Sequence, residues 1–285
     1  MALDNFKPTL WATQVIVDVE KALVFRNITS SNYVGSPTYG QIVKVNQIGP
    51  ITVSNYTSTG VSWADVTDAQ LELVIDQKKY FAFKIEDVDQ VQANPNLMSS
   101  FMTQAAHDVA DTIDQFIATF HAQAGVLDST NLGSSSTDVD VYADDLAGIL
   151  TYVHRRLDES KAPRNGRWMV IPPWFEQYLV YAQIINGTNY INDPNSPALA
   201  SGRVANSYGF NFYVSNNVVN DATTWSIMAG APGCVAYVGQ AGNIEAKRLD
   251  DYIATGVRGL YVYGAKVVRP DHLCAMYLAP QGLAS

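Results

Sequence analysis

The chain has 285 residues, 47% of them hydrophobic, only 16% charged, and a formal net charge of −9. That is enough for one large domain or two intimately connected ones with an ample core, and the charge content is well below the usual level of about 25%. The acidity argues against a protein held to nucleic acid by clustered Lys and Arg, because the basic pairs Lys78-Lys79, Arg155-Arg156 and Lys247-Arg248 are small and scattered.

The amino-terminal stretch, MALDNFKPTLWATQVIVDVEKAL, carries Asp and Glu inside its apolar run and lacks a basic region and cleavage site. It does not read as a signal peptide. No apolar run is long enough to predict a membrane helix. The expected setting is a cytosol-like compartment.

Residues 33–84 alternate: Ile42, Val43 and Val45, then Ile51 and Val53, then Leu71, Leu73 and Ile75, then Tyr80 through Ile85. This is the period-two pattern of strands with one drier face. Thr57 to Asp68 is rich in Ser, Thr, Gly and Asp and reads as a tip. Two strands of about 15–20 residues would reach about 50–65 Å. A globule of this length is about 50 Å across, so such a hairpin would leave its own body and need a neighbour to lie on. The same pattern also fits short strands within one sheet, broken at Gly35, Gly49-Pro50 and Gly60.

A long amphipathic helix follows, with Asn94 as N-cap, Pro95 at the first helical position and Gly125 as the stop. Met98, Met102, Ala105, Val109, Ile113, Phe116 and Phe120 make its apolar stripe. Gln104, His107, Asp108, Asp111, Asp114 and Gln115 make an acidic, solvated face. Its expected length is about 44 Å, which favours a mechanical role and the projecting reading of the β-arm.

Leu127 to Asp138 is a Ser/Thr/Gly loop. Leu146, Ile149, Leu150, Val153 and Leu157 predict a second amphipathic helix, opened by Asp144-Asp145. Arg167 to Ile171 reads as a buried strand, and Pro172-Pro173 ends it and opens a helix from Trp174 to Ile185. Residues 186–207 read as a surface loop. Phe210–Val214, Trp225–Met228, Ile244–Leu249, Gly259–Arg269 and His272–Leu278 read as strands, and Pro232–Gly239 as a short helix.

The search for chemistry finds little. No Gly-x-Ser-x-Gly, Walker loop, Gly-x-Gly-x-x-Gly or His-Glu-x-x-His is present. His107 and His121 stand too far apart along one helix to share a metal. His154 reads as a surface residue and His272 as a turn residue. The pairs Asp87/Asp89, Asp144/Asp145 and Asp250/Asp251 could serve a hydrolase only if brought to a cleft. Cys234 and Cys274 lack metal or redox spacing and read as buried, reduced thiols.

Four segments carry a resemblance: DQKKYFAFKIEDVDQVQA before the long helix, GRWMVIPPWFEQYL at 166–179, GRVANSYGFNFYVSNNV at 202–218 and GLYVYGAKVVRPDHLCAMYL at 259–278. In this order, behind a β-loop and a long helix, the chain resembles major capsid proteins of tailed bacteriophages with the Hong Kong 97-type fold. The resemblance implies an α+β fold: an N-terminal arm at 1–32 and an extended β-loop at 33–84. It further implies a peripheral domain at 85–140 and 256–285 with a spine helix, and an α/β axial domain at 141–255. The first of the four segments would be the loop's descending strand.

The implied function is self-assembly into an icosahedral shell around double-stranded DNA, with a precursor that expands on packaging. Implied partners are further copies in hexamers and pentamers, scaffold and portal proteins, and a decoration protein. DNA would be enclosed without sequence-specific binding. The implied place is the virion, after assembly in the host cytoplasm, with no cofactor and no catalysis. Candidate intersubunit residues are Ile51, Val53, Trp63, Leu71, Leu73, Lys78 and Lys79. A shell subunit of an encapsulin-like bacterial nanocompartment is the alternative, and a carboxylate-dependent hydrolase a more distant one.

Overall fold

A computed structural model describes residues 24–30, 42–48, 68–86, 97–182, 203–221, 223–249 and 253–281. Asn94, Pro95, Asp87, Asp89, Asp250, Asp251 and the first 23 residues lie outside it. The fold mixes helices with three sheets.

The largest sheet has seven strands, in the order β4 (Val139–Val141), β12 (Leu273–Pro280), β9 (Thr224–Gly230), β5 (Trp168–Ile171), β7 (Phe210–Val214) and β6 (Arg203–Ser207), with β8 (Val219–Asp221) also paired to β9. β4–β12 and β5–β7 are parallel, and the other pairs are antiparallel. Every residue of β5 is buried, as are Leu273 to Ala279 of β12. Strands covered on both faces read as unbroken apolar runs, which is how WMVI and LCAMYLA stand in the sequence.

The second sheet has three strands in the order β10 (Val235–Arg248), β11 (Ala254–Val267) and β3 (Gln77–Glu86), all antiparallel. β10 and β11 form one long hairpin leaving the large sheet after β9 and returning to it at β12. Its neck is closed by the amides of Val268 and Arg269, which donate to the Cys234 carbonyl at 2.8 and 3.2 Å. Most buried residues of both sheets belong to one continuous apolar cluster, while Ala236, Val238 and Val262 belong to a second, smaller one. β1 (Ile42–Ile48) and β2 (Asp68–Val74) make a two-stranded antiparallel ladder of their own, in register from Ile42 opposite Val74 to Ile48 opposite Asp68.

Helix α2 (Leu97–Ala118) continues into a 3-10 turn, Thr119–Gln123. Met102, Ala105, Ala106, Val109, Ala110, Ile113 and Ile117 are buried at three- and four-residue steps, so one face meets the core. Phe116 stands edge-on to Tyr263 of β11, ring centres 5.3 Å apart. On the outer face Gln104 donates to Asp108 and Gln115 to Asp111, each four residues on or back. Asp114 departs from the expected acidic face: it is 3% exposed. The short helix α1 (Val24–Ile28) docks there, and the Val24 amide donates to Asp114 Oδ2 at 3.2 Å.

Three further expectations are corrected. Pro232–Gly239 is not a helix. From Val235 the chain is β10, whose alternate side chains face two different apolar clusters. Residues 203–207 are strand rather than loop, because Tyr208 and Gly209 both take positive φ (51° and 79°) and turn β6 onto β7 in two residues. The run from Gln77 is not paired with β1. It is β3, the edge strand beside β11.

Helix α3 (Leu146–Glu159) buries Leu146, Leu150, Val153 and Leu157, with Ile149 packed at the margin. Helix α4 (Pro173–Tyr181) starts on its proline, as expected of a residue with no amide to lose. After α3 the chain turns through Lys161 at φ 58°. There Arg167 is wholly buried and donates to the carbonyls of Pro163, Ala162 and His154 and to Asp158 Oδ1, the last at 2.7 Å. Arg164 clasps the same carboxylate from outside, at 2.7 Å to Oδ2. These two guanidinium groups, Arg164 foremost, hold the Asp158 carboxyl down at about 2 against its partial desolvation.

Removing Asp158 strands a buried cation, which typically costs about 3–5 kcal/mol. Since Asp158 is a quarter exposed, Asp158→Ala should cost about 3 kcal/mol, the low end of that range, and lower the melting temperature by several degrees. A carboxyl with a depressed folded pKa stabilises fully above its unfolded pKa, near 4, and loses that contribution as pH falls toward 2. The melting difference between the wild type and Asp158→Asn should therefore be widest above pH 4 and shrink below it. An unchanged difference at pH 2.5 would refute the ion-pair account.

Candidate functional site

The groups that could carry chemistry are engaged in structure. Among the described residues no three His, Cys, Asp or Glu side chains are grouped to hold a metal. His121 sits in the 3-10 turn, its Nδ1 3.2 Å from the Tyr277 hydroxyl, and burial lowers its pKa. His154 is half-buried, beside Asp158 and edge-on to Phe210. His272 ends a 3-10 turn, Pro270–His272, as its sequence setting suggests. Asp144 and Asp145 open α3, where the Tyr142 amide donates to Asp145 at 3.3 Å. Both cysteines are free and buried, and burial pushes each thiol up to about 12, so neither offers a thiolate near neutrality.

What remains is surface. Leu73 and Ile75 leave the end of the β1–β2 ladder and bury themselves against Ala236, Val238, Val262 and Val268. Lys266 Nζ donates to the Glu72 carbonyl at 2.9 Å across the same contact. At Gly264 of β11 the approach is closer still, since a Cβ there would overlap the Val74 carbonyl and reach 3.0 Å from Ile75 Cα. Only glycine lets the backbone at the foot of the ladder lie on β11. The ladder is thus rooted on the subunit's own sheet.

Beyond the root, β3 and α2 enclose an open groove of about 340 Å³, lined by Tyr80, Phe81, Phe83, Phe101, Ala105 and Val109. Phe83 and Phe101 lean together with ring centres 5.8 Å apart. Tyr80 is 79% exposed and Phe101 44%. On β3 the alternation puts Phe81 and Phe83 toward the helix and Tyr80 outward, a large aromatic in the solvent register. A second groove of about 310 Å³ has Phe83, Leu249 and Val257 beside Lys84, Lys247 and Arg258.

Of the seven residues expected at an intersubunit contact, Ile51, Val53 and Trp63 lie outside the described residues. Leu73 is 0% exposed within its own chain. It is a core residue and is corrected on that ground. Leu71 is half-buried against the same cluster, and Lys78 and Lys79 are exposed on β3. Sequence reading missed the exposure of Tyr80, Val74 and Phe101. The available signal was the phase of each, out of step with the buried stripe of its own element.

The described residues thus give a rooted two-stranded arm, open grooves and no grouping of metal-ligating side chains. A family model described as phage capsid protein matches residues 70–276. The chain belongs to this family, and it is a shell-forming major capsid protein of the virion. Its fold is shared by a chain from Mycobacterium phage Che8, with 28% identity, a TM-score of 0.67, and 89% of this chain and 90% of that one covered. It is shared by the capsid structure of the Cyanophage P-SCSP1u, at 19% identity, TM-score 0.65 and 92% and 89% coverage. The fold recurs in the virus-like particle from Pyrococcus furiosus, at 12% identity, TM-score 0.56 and 94% and 98% coverage. Comparison with curated protein sequences finds no match. No helix among the described residues is long and apolar enough to cross a membrane.

Two glycines should respond oppositely to alanine. Gly264→Ala forces the foot of the ladder off β11 and should cost about 1–3 kcal/mol, as overpacking does. Gly148, in α3, would place its Cβ in open space, so Gly148→Ala should stabilise by up to about 1 kcal/mol through helix propensity. Thermal melts of the two variants beside the wild type check both signs.

Proposed function

We infer that this subunit builds a closed icosahedral shell of a tailed phage around double-stranded DNA, through hexamers and pentamers of itself. The observation that carries the reading is the β1–β2 ladder. It is a two-stranded sheet tied to the body only at its foot among the described residues. Two-stranded ladders are marginal in water, so a surface on another subunit is its natural support. Ile51, Val53 and Trp63 in the connection, with Leu71, Lys78 and Lys79 nearer the foot, are the proposed contacts. The groove beside Tyr80 and Phe101 adds apolar area of the kind that interfaces cover.

The domain division follows the same logic. The arm ends near Asp76, where β3 joins the body. Helix α2 with β3, β10 and β11 forms the peripheral unit, with α2 in the part of the spine helix. The seven-stranded sheet with α3 and α4 forms the axial unit. The work is mechanical rather than catalytic. Each contact is weak, and many neighbours in a closing lattice make the sum large. Scaffold, portal and decoration proteins are the proposed partners, and the net charge of −9 suits a container that does not grip its DNA. A nanocompartment shell would use the same fold. The 12% identity to the Pyrococcus furiosus particle carries fold alone, so the phage reading stands.

The test uses the register of the ladder. Ile48 and Asp68 are directly paired, so residues 49–67 connect strand ends already side by side. Replacing them with an Asn-Gly turn should leave the protein soluble, with a cooperative melt close to that of the wild type, yet unable to form shells. The wild type, expressed with its scaffold, should form closed particles in electron micrographs. A wild type that stays monomeric under every condition, or a shortened chain that still closes shells, would refute the reading.

A further inference from the structure

Asp114 is a carboxylate on α2 with almost no access to water, and only one of its oxygens is bonded. Oδ2 accepts the Val24 amide at 3.2 Å, with Phe25 and Arg26 amides also directed at the carboxylate. Oδ1 is buried without a partner. A buried charge compensated on one side only is costly, and protonation removes the charge while leaving Oδ2 as an acceptor.

The segment it holds has two ties. Downstream, Ser30 is stitched to the free edge of β10: its amide donates to the Val235 carbonyl at 2.9 Å and its carbonyl accepts the Tyr237 amide at 3.1 Å. Phe25 is 1% exposed, and the Arg26 guanidinium lies 4.9 Å over the Tyr237 ring. Upstream, at the end leading to residues 1–23, the tie is Asp114.

We propose that Asp114 is a proton-operated latch: protonated, it holds α1 against α2, and ionised, it lets α1 lift.

The surroundings support this direction. On α2 the nearest charge is Asp111, which is exposed, takes a hydrogen bond from Gln115 and adds repulsion to the effect of burial. On α1 the charged group is Arg26, turned onto Tyr237. On β10 and β11, Tyr237 meets Arg26 and Tyr263 meets Phe116, with Tyr237 and Tyr261 hydroxyls 3.2 Å apart, and burial raises Tyr237 and Tyr263. Tyr237 and Tyr263 stay neutral near pH 7. Burial foremost raises Asp114 from 3.8 to about 7, against the lowering effect of the α1 amides.

The sign follows. Between about pH 4 and pH 7 the docked segment keeps a proton that the lifted one releases, so docking weakens by about tenfold per pH unit across that window and is level above it. The inference uses contacts within one chain, so it stands or falls apart from the shell reading.

Hydrogen exchange of the full-length chain tests it, with rates corrected for intrinsic exchange and read from peptides covering 24–30 between pH 5 and pH 8. Protection of the α1 amides should fall by up to about a hundredfold from pH 5 to pH 7 and then level off, while amides of β12 stay constant. Asp114→Asn, which keeps an acceptor and cannot ionise, should give protection independent of pH. A flat wild-type profile would overturn the proposal, as would the same slope in Asp114→Asn or a parallel loss in β12, which would mean general unfolding. The wild-type profile alone decides if the variant does not fold.

Discussion

The subunit depends on one constraint: β10 and β11 each have two faces, and both faces are claimed by the same chain. Along β11, Val257, Tyr261, Tyr263 and Ala265 belong to the main core shared with α2, while Leu260 and Val262 belong to the small cluster under β2. β10 does the same, with Val235 and Tyr237 on one side and Ala236 and Val238 on the other. A shift of one residue in either strand would exchange the two sets. The register that seats the helix therefore also seats the arm.

This explains which parts of the fold could be read from sequence. α2, α3, β5 and β12 declare themselves because each answers to a single environment: a stripe at helical steps, or an apolar run buried throughout. VAYVG at the start of β10 was obscure for the opposite reason. Its alternation is between two interiors, so no polar residue marks the period, and the neighbouring AGAPGC suggested a helix. Leu73 shows the same limit. Alternation tells that one side of a strand is dry and says nothing about whose core dries it. Asp114 was misread because the amide it accepts belongs to α1, ninety positions earlier, and local periodicity cannot register a contact so distant. For the candidate surface, exposure of Tyr80 and Phe101 was not legible, because it needs the phase of each element against its neighbour.

The polar side of α2 is balanced without cations. Asp108 and Asp111 take hydrogen bonds from Gln104 and Gln115, so the helix keeps its negative charge yet satisfies its acceptors within four residues. Ion pairs on the surface, such as Arg258 with Glu245, contribute little individually. Stability is concentrated in apolar packing and in the buried Arg167, where four of the five N–H donors end on a carbonyl or on Asp158. The outer surface is then free to be poor in charge, which lowers the desolvation cost of covering it with other subunits.

The route from arm to helix is short and stiff. At the foot of the ladder, backbone lies on backbone at Gly264, with no side chain between to bend or repack. One residue earlier on β11, Tyr263 reaches through to the other face and meets Phe116 of α2 edge-on at 5.3 Å. Close-packed interiors have low compressibility and pass displacement on rather than absorbing it. A pull on the ladder that moves β11 must therefore move the ring contact with α2, or break the root first. At α1 the upstream end is tied differently, by the Asp114 carboxylate beside the buried Phe25. The subunit thus combines a packed coupling on one face of its three-stranded sheet with a segment hydrogen-bonded at its edge, and these two parts need not respond together.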